Sequence, residues 1–300
     1  VAVRPCNFWL LVLGGRPPAA CRAIQRLHSA APPPACVAGG REGEMAPNTI
    51  TISGLQKGGN LNLGAFRVFS AEDRGNKKEQ QDEVKVDEFF CEDPKQIYLS
   101  VLDGHGDCGK DMSVKGTETL HKTLQASASI SGDRAEQLTK AFRKTHDVLE
   151  ETDDADLAGT TATVAWLFPD RAYFANVGDS ALVVGRIEEA TRTLIGEQVS
   201  IDHHPTREDE RARIIKAGGR VAQARSYGRP DARPRGPFRV YQQDSEIPGL
   251  MVSRSLGDIY AHKCGCSADP YVLERRWTRG DVMVILASDG LWDVVDAQTA

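Results

Sequence analysis

Two aspartates that end apolar runs are the residues of this sequence best placed to do chemistry. Asp103 follows the run at residues 98–102, and Asp289 follows the run at residues 282–287 and one serine. Each aspartate is followed by a glycine. An apolar, β-prone run that stops at an acid and a glycine predicts a buried strand that delivers a carboxylate to the end of a sheet.

Two such carboxylates would form a metal site if the two strands were neighbours in one sheet. Like charges that converge repel each other unless a cation lies between them, and oxygen ligands suit Mg²⁺ or Mn²⁺ rather than zinc. Gly104 has no Cβ, so its carbonyl could approach a metal or its waters closely. The competing interpretation is an ordinary Asp-Gly turn. The pairing of Asp103 with Asp289, together with His105 beside the first of them, favours the metal site.

Composition limits the classes of function. The 300 residues are 40% hydrophobic with a formal net charge of −5, which indicates one large or two ordinary domains and argues against nucleic-acid or anionic-membrane partners. Seven cysteines without framework spacing, including an isolated Cys264-x-Cys266 pair, argue against zinc and predict reduced thiols. No apolar run approaches the roughly 20 residues of a membrane-spanning helix. We expect a monomer in the cytoplasm or nucleus.

Residues 1–48 differ in composition from the rest of the chain. They carry arginines but no acid before Glu42, with clusters of Ala, Pro and Gly. Two interpretations fit: an organelle transit peptide, or a disordered or mis-assigned extension. We favour the extension, because the chain begins with Val and its first methionine is Met45. The catalytic domain is predicted over residues 49–300.

The hydrophobic patterning predicts antiparallel sheets with helices packed outside them. The predicted helices are 111–125, 133–150 with Asp133 as cap, 207–217, and one that opens at residue 292. The predicted strands are 60–70, a strand that resumes at 84 after a solvated loop over 72–83, a meander of 159–167, 172–177 and 181–187, and a strand-like block at 251–257. Residues 220–250 are predicted to be an irregular, basic insertion.

Seven blocks of sequence carry a resemblance to a known family. The blocks are VLDGHG at 101–106, GTTAT at 159–163, NVGDS at 176–180, DHHP at 202–205, AGGRV at 217–221, GLMVSRSLGD at 249–258 and LASDGLWDV at 286–294. In this order they resemble the metal-dependent serine/threonine protein phosphatases of type 2C, with features similar to plant and protist members. The resemblance covers residues 60–300.

The resemblance implies an α+β fold, a central antiparallel β-sandwich flanked by helices in four αββα layers, with two Mg²⁺ or Mn²⁺ ions at one end. Asp103 would bridge the two ions, the Gly104 carbonyl would ligate one, and Asp289 would ligate the other. Asp179 would help to hold a further, weaker ion. His105 would be the general acid that protonates the leaving alkoxide.

The first motif of the family is altered in this chain. Lys77 takes the place of an arginine that binds substrate phosphate, which loses the planar bidentate fork. Gln81 replaces the first residue of an acid pair, and Asp82 matches the second, which holds metal-bound waters. A competing alignment uses residues 67–73 but leaves a longer gap to Asp103.

The late Asp-Asn block of the family is absent, because this chain ends at Ala300. We expect either a fragment of a longer protein or a site that lacks one ligand. The leading hypothesis is hydrolysis of phosphoserine and phosphothreonine in phosphoprotein substrates. The alternative is a catalytically weak or silent regulatory or binding module, which the altered first motif and the absent late acid motivate. A different metal hydrolase on an unrelated fold is a third hypothesis.

Overall fold

The computed structural model describes residues 7–13, 48–50, 67–73, 79–128, 132–224 and 236–300. Lys77, most of the predicted 60–70 strand, and residues 225–235 of the predicted insertion lie outside the described residues. Within these residues, no helix is both long enough and apolar enough to span a bilayer.

The strands, in chain order, are β1 (Asn7–Leu13), β2 (Asn48–Ile50), β3 (Arg67–Asp73), β4 (Asp82–Asp87), β5 (Ile97–His105), β6 (Gly159–Thr160), β7 (Ala162–Leu167), β8 (Arg171–Val177), β9 (Ala181–Ile187), β10 (Leu194–Gln198), β11 (Gly219–Gln223), β12 (Phe238–Gln242), β13 (Pro248–Leu250), β14 (Leu256–Gly257), β15 (Tyr271–Arg276) and β16 (Asp281–Ala287). The helices are α1 (Gly109–Ala128), α2 (Arg134–Glu150), α3 (Glu208–Lys216), α4 (Ile259–Lys263) and α5 (Asp289–Trp292).

Two antiparallel sheets form the centre of the fold. One has six strands in the order β10-β9-β16-β1-β3-β2. The other has seven, in the order β14-β6-β5-β7-β8-β15, with β4 also paired to β5. Strand β1 belongs to the predicted extension, yet it lies between β16 and β3. The domain boundary near residue 48 stays a prediction.

Strand β5 is buried on both faces, because its alternate residues enter two different cores. Tyr98 and Leu102 pack in a cluster with residues of α1 and α2 such as Leu120 and Phe142. Leu99 and Val101 pack in a second cluster, the inter-sheet core, with residues from the six-stranded sheet. The α+β sandwich predicted from the sequence is therefore confirmed, with helices α1 and α2 outside the seven-stranded sheet.

The predicted helices at 111–125 and 133–150 are present as α1 and α2. Helix α2 is capped as predicted, since an oxygen of Asp133 accepts a hydrogen bond from the backbone N–H of Ala135 at 2.9 Å. Its buried face carries Leu138, Phe142 and Leu149 at helical spacing. The helix predicted to open at residue 292 is instead the short α5, which begins directly after Ser288.

Two predictions about the strands were wrong. Strand β9 does not continue a meander with β8, because the turn at Gly178 and Asp179 carries the chain into the other sheet, where β9 pairs with β10 and β16. The insertion at 220–250 is not wholly irregular, since β11, β12 and β13 form a three-stranded sheet. Val221 and Val240 of this sheet pack with Ile214 of α3, which supplies the apolar cover that it needs.

Candidate active site

The candidate site lies where the apolar rows of the inter-sheet core end in polar side chains. Along β5, the row that faces this core contains Ile97, Leu99 and Val101. The period of two places Asp103 next in the same row, and this residue is 9% exposed. Strand β5 therefore delivers a largely buried carboxylate to the end of the inter-sheet core.

Strand β4 delivers a second carboxylate beside the first. Val84 and Val86 pack against the inter-sheet core, and Asp82 precedes them in the same row with 1% exposure. Asp82 is the cross-strand partner of Asp103 in the β4–β5 ladder. Residues directly opposite each other in such a ladder have neighbouring side chains, so two acids share one buried place.

The six-stranded sheet reaches the same place through β16. Its core-facing row contains Val284 and Leu286, and Ser288 is the next residue with this period. The Ser288 hydroxyl donates a hydrogen bond to Oδ2 of Asp82 at 2.8 Å. Asp289 follows immediately and begins helix α5. The two sheets thus meet here: β5 and β16 lie in different sheets, and the carboxylates approach each other across the inter-sheet core rather than along one sheet.

Asp179 joins this group from the turn between β8 and β9. Burial, and then the nearby charge of Asp289, raise the pKa of Asp179 to about 6, against opposing effects of His204 and His105. Burial and the charge of Asp289 also raise the pKa of Asp293. We call Asp82, Asp103, Asp179 and Asp289 the aspartate cluster.

Gly104 is required by close packing of the backbone. A Cβ at this position would lie 2.0 Å from the carbonyl oxygen of Gly109 and 2.8 Å from that of Gln81. The Gly104 N–H donates to the same Gln81 carbonyl at 3.1 Å. These contacts hold the Asp103–Gly104 segment between the start of β4 and the start of α1.

Several supporting residues were not predicted from the sequence. The Asp103 N–H donates to Oγ1 of Thr161 at 3.1 Å, and that hydroxyl lies 2.7 Å from the Ser180 hydroxyl. Ser288 and Asp293 were also missed as members of the site. The signal for Ser288 was available, since it continues the alternating row of β16.

His105 lies at the end of β5, beside the aspartate cluster. Its Nε2 is 2.7 Å from Oδ2 of Asp258, the last residue of the GLMVSRSLGD block at 249–258. The Asp258 side chain is 3% exposed, whereas that of His105 is 28% exposed. The histidine is therefore held from the protein interior and can still reach a molecule in the site.

The donor chemistry of the cluster fits a hard divalent cation. All its side chains offer carboxylate oxygens, and Asp82 and Asp103 face each other as like charges. In the part of the chain that the structure describes, no three His, Cys, Asp or Glu side chains form a group that could hold an ion as they stand. The structure thus brings the predicted ligands to one place without assembling them into one coordination group.

The fold and the site define the class of protein: a two-sheet α+β sandwich with an acidic site at one end of the inter-sheet core. The family model described as "Protein phosphatase 2C" matches residues 66–300, and the chain belongs to this family. "Probable protein phosphatase 2C 34" from Arabidopsis thaliana is 32% identical over 260 residues, covering 81% of this chain and 69% of that protein. "Probable protein phosphatase 2C 65" from the same plant is 30% identical over 244 residues, covering 74% of this chain and 62% of that protein.

Solved structures show the same fold. The serine-threonine phosphatase 2C from Toxoplasma gondii aligns with a TM-score of 0.68 at 21% identity, covering 84% of this chain and 85% of that chain. A C. elegans sex determining protein aligns with a TM-score of 0.60 at 20% identity, covering 86% of this chain and 54% of that chain. Three of the plant relatives extend well beyond the match, since this chain spans 62%, 66% and 65% of their lengths.

Proposed function

We propose that this chain hydrolyses phosphoserine and phosphothreonine esters of phosphoproteins with the help of Mg²⁺ or Mn²⁺. The observation that carries the proposal is the aspartate cluster at one end of the inter-sheet core, in a chain of the protein phosphatase 2C family. When bound, divalent cations at such a site lower the pKa of water and neutralise charge on the phosphoryl group.

The residues of the cluster have separate roles in this proposal. Asp103, the carbonyl of Gly104 and Asp289 would hold the ions. Asp82 would act through the waters around them, and Asp179 would hold a further, weaker ion. The raised pKa of Asp179 supports this assignment, because a partly buried carboxyl beside another acid favours a compensating cation.

Two further residues would act on the substrate. His105 would give a proton to the leaving alkoxide of serine or threonine, which is a poor leaving group without it. Lys77, outside the described residues, would bind the substrate phosphate as a point charge. We therefore expect Lys77→Ala to raise KM more than it lowers kcat.

The test is Mn²⁺-dependent hydrolysis of a phosphothreonine peptide by the parent protein and by Asp103→Asn and Asp289→Asn. Both variants should lose activity, and titration calorimetry should show weaker Mn²⁺ binding. Asp170→Asn is the matched control, because Asp170 lies at the opposite end of the sheet from Asp103. It directly precedes β8 and is near Leu167 of β7, which pairs with Ile97 at the start of β5, whereas Asp103 is near the end of β5. Its exposed ion pair with Arg171 contributes little to stability.

A folded parent that binds Mn²⁺ without hydrolysing any phosphopeptide would contradict the proposal and favour the regulatory module. A parent that hydrolyses the peptide equally well in EDTA would contradict the metal-dependent mechanism. We further propose a monomeric catalytic domain over residues 49–300 that acts in the cytoplasm or nucleus, without a nucleic-acid or membrane partner. The free cysteines Cys91, Cys108, Cys264 and Cys266 support a reducing compartment.

A further inference from the structure

We propose that Asp258 is a positioning residue that orients the imidazole of His105 for proton transfer. The proposal rests on the proposed function, because it concerns the proton that His105 would supply to the leaving group. Its basis is the 2.7 Å contact between Nε2 of His105 and Oδ2 of Asp258, made by a carboxylate that is almost fully buried.

The backbone of Asp258 is held in an unusual conformation that aims its side chain. Asp258 has φ 50° and ψ 50°, the left-handed region that non-glycine residues rarely adopt. Its N–H donates to the Ala158 carbonyl at 3.0 Å, and its own carbonyl accepts from Ala261 at 2.8 Å and from His262 at 3.0 Å. Such conformations persist where the surroundings fix them and concentrate at functional sites.

Gly159 leaves the space that the Asp258 carboxylate occupies. A Cβ at this position would lie 2.1 Å from Oδ2 of Asp258. Gly159 is also the ladder partner of His105 on one side and of Gly257 on the other. The short strand β6 therefore fixes the histidine and the segment that carries the aspartate relative to each other.

Two stacked histidines contact the backbone of residues 255–257, just before Asp258. The rings of His146 and His262 lie 4.0 Å apart between centroids. Nδ1 of His146 accepts a hydrogen bond from the N–H of Gly257 at 3.2 Å. Nε2 of His262 lies 3.1 Å from the Ser255 carbonyl, to which it can donate. Two residues that precede Asp258 are thus tied to helices α2 and α4.

The contact determines which ring nitrogen of His105 exchanges a proton with the substrate. A carboxylate can only accept a hydrogen bond, so Nε2 keeps its proton toward Asp258. The proton for the leaving group then comes from Nδ1 of the imidazolium. It passes to the ester oxygen as the P–O bond breaks, which leaves a neutral imidazole and an alcohol. Asp258 itself gains and loses no proton in this step.

The experiment compares two substrates whose leaving groups differ in their need for a proton. An alkoxide leaving from a phosphothreonine peptide needs protonation, whereas p-nitrophenolate leaving from p-nitrophenyl phosphate departs readily without it. Asp258→Asn should lower kcat for the peptide by about 10-fold or more, part of what general acids typically contribute. We expect much smaller changes in peptide KM and in kcat for p-nitrophenyl phosphate. Asp170→Asn should leave both substrates unaffected.

A second comparison separates orientation from structural damage. In a His105→Asn background, Asp258→Asn should cause no further loss of kcat, because Asp258 acts through the ring that has been removed. Equal losses on both substrates, or an additive loss in the His105→Asn background, would overturn the proposal. So would an Asp258→Asn variant with unchanged kcat for the peptide.

The tautomer of His105 can be tested without any variant of Asp258. Two-dimensional ¹H–¹⁵N spectra of the ring nitrogens, assigned through His105→Asn, should show the proton on Nε2 of a neutral ring. A neutral ring with its proton on Nδ1 would overturn the proposal even if Asp258→Asn fails to fold. A parent inactive on both substrates would instead refute the proposed function, and the two failures are therefore distinguishable.

Discussion

Lowering the pH from about 7 to about 5 should destabilise the metal-free protein through two histidines that are buried in the neutral form. Burial, and then the charge of Arg254, lower the pKa of His203 to about 3. Burial, and then the neighbouring His146, lower the pKa of His262 to about 4. In the folded state neither imidazole is readily protonated. In the unfolded state both imidazoles are accessible to water and can take up a proton.

The surroundings of both rings explain these shifts. His203 is 1% exposed and lies near Arg254 and Arg207, with Glu210 the acid that partly offsets them. Its Nδ1 has no hydrogen-bond partner among the described residues. Around His262, the charges of His146 and of Arg213 oppose protonation, and the carboxylate of Asp258 favours it.

The direction and size of the effect follow from linkage between protonation and folding. An unfolded histidine titrates near pH 6.5, so below this value the unfolded state binds a proton that the folded state does not. Unfolding then becomes easier by about 1.4 kcal/mol per pH unit for each histidine, until the pH reaches the folded pKa. At about pH 5 each histidine therefore costs about 2 kcal/mol, and the two together cost about 4 kcal/mol.

Urea unfolding in EDTA at the two pH values tests this prediction. His203→Asn and His262→Asn each remove one titrating group, so the pH-dependent loss in each variant should be about 2 kcal/mol smaller than in the parent. The comparison uses the difference between pH values, because the substitutions also change the absolute stability. A variant that loses as much stability as the parent would refute the assignment of that histidine as buried and neutral.

Three further substitutions test the candidate site. Ser288→Ala removes the donor to buried Asp82 and should cost about 1–3 kcal/mol in urea unfolding, with Ser288→Thr closer to the parent. Asp179→Asn should stabilise the metal-free protein at about pH 8, because a carboxyl whose pKa is raised to about 6 is ionised there, and should weaken Mn²⁺ binding in calorimetry. Gly104→Ala would place a Cβ 2.0 Å from a backbone oxygen and should cost at least about 1–3 kcal/mol in thermal unfolding. Gly132→Ala should be nearly neutral, because among the described residues its Cβ would meet only a side-chain nitrogen of Gln137, at 3.4 Å.

The fold class could be predicted because strand and helix patterns are local. The apolar run before Asp103 and the cap at Asp133 both lie within a few residues of the features they predict. Sheet membership is not local. Strand β9 was assigned to the wrong sheet because a glycine–aspartate turn looks the same whether it closes a hairpin or crosses between two sheets.

The aspartates could be predicted for the same local reason, but their arrangement could not. Asp103 and Asp289 each end an apolar run, and that feature is visible in the sequence. The sequence does not show that β4 places Asp82 opposite Asp103, or that Ser288 of the other sheet donates to Asp82. These contacts join residues far apart in the chain, and their register depends on how both sheets pack.

Asp258 shows most clearly why a contact with the proposed proton donor could not be predicted from the sequence. Its carboxylate reaches His105 because Gly159 leaves room and because the chain adopts a left-handed conformation at Asp258. The room depends on a residue far away in the chain, because Gly159 lies in β6, which pairs with both β5 and β14. The GLMVSRSLGD block contains the aspartate, but the sequence does not show the ladder through Gly159 that brings it to His105. If this ladder positions the proton donor, then Gly159→Ala should impair the peptide reaction in the same selective way as Asp258→Asn.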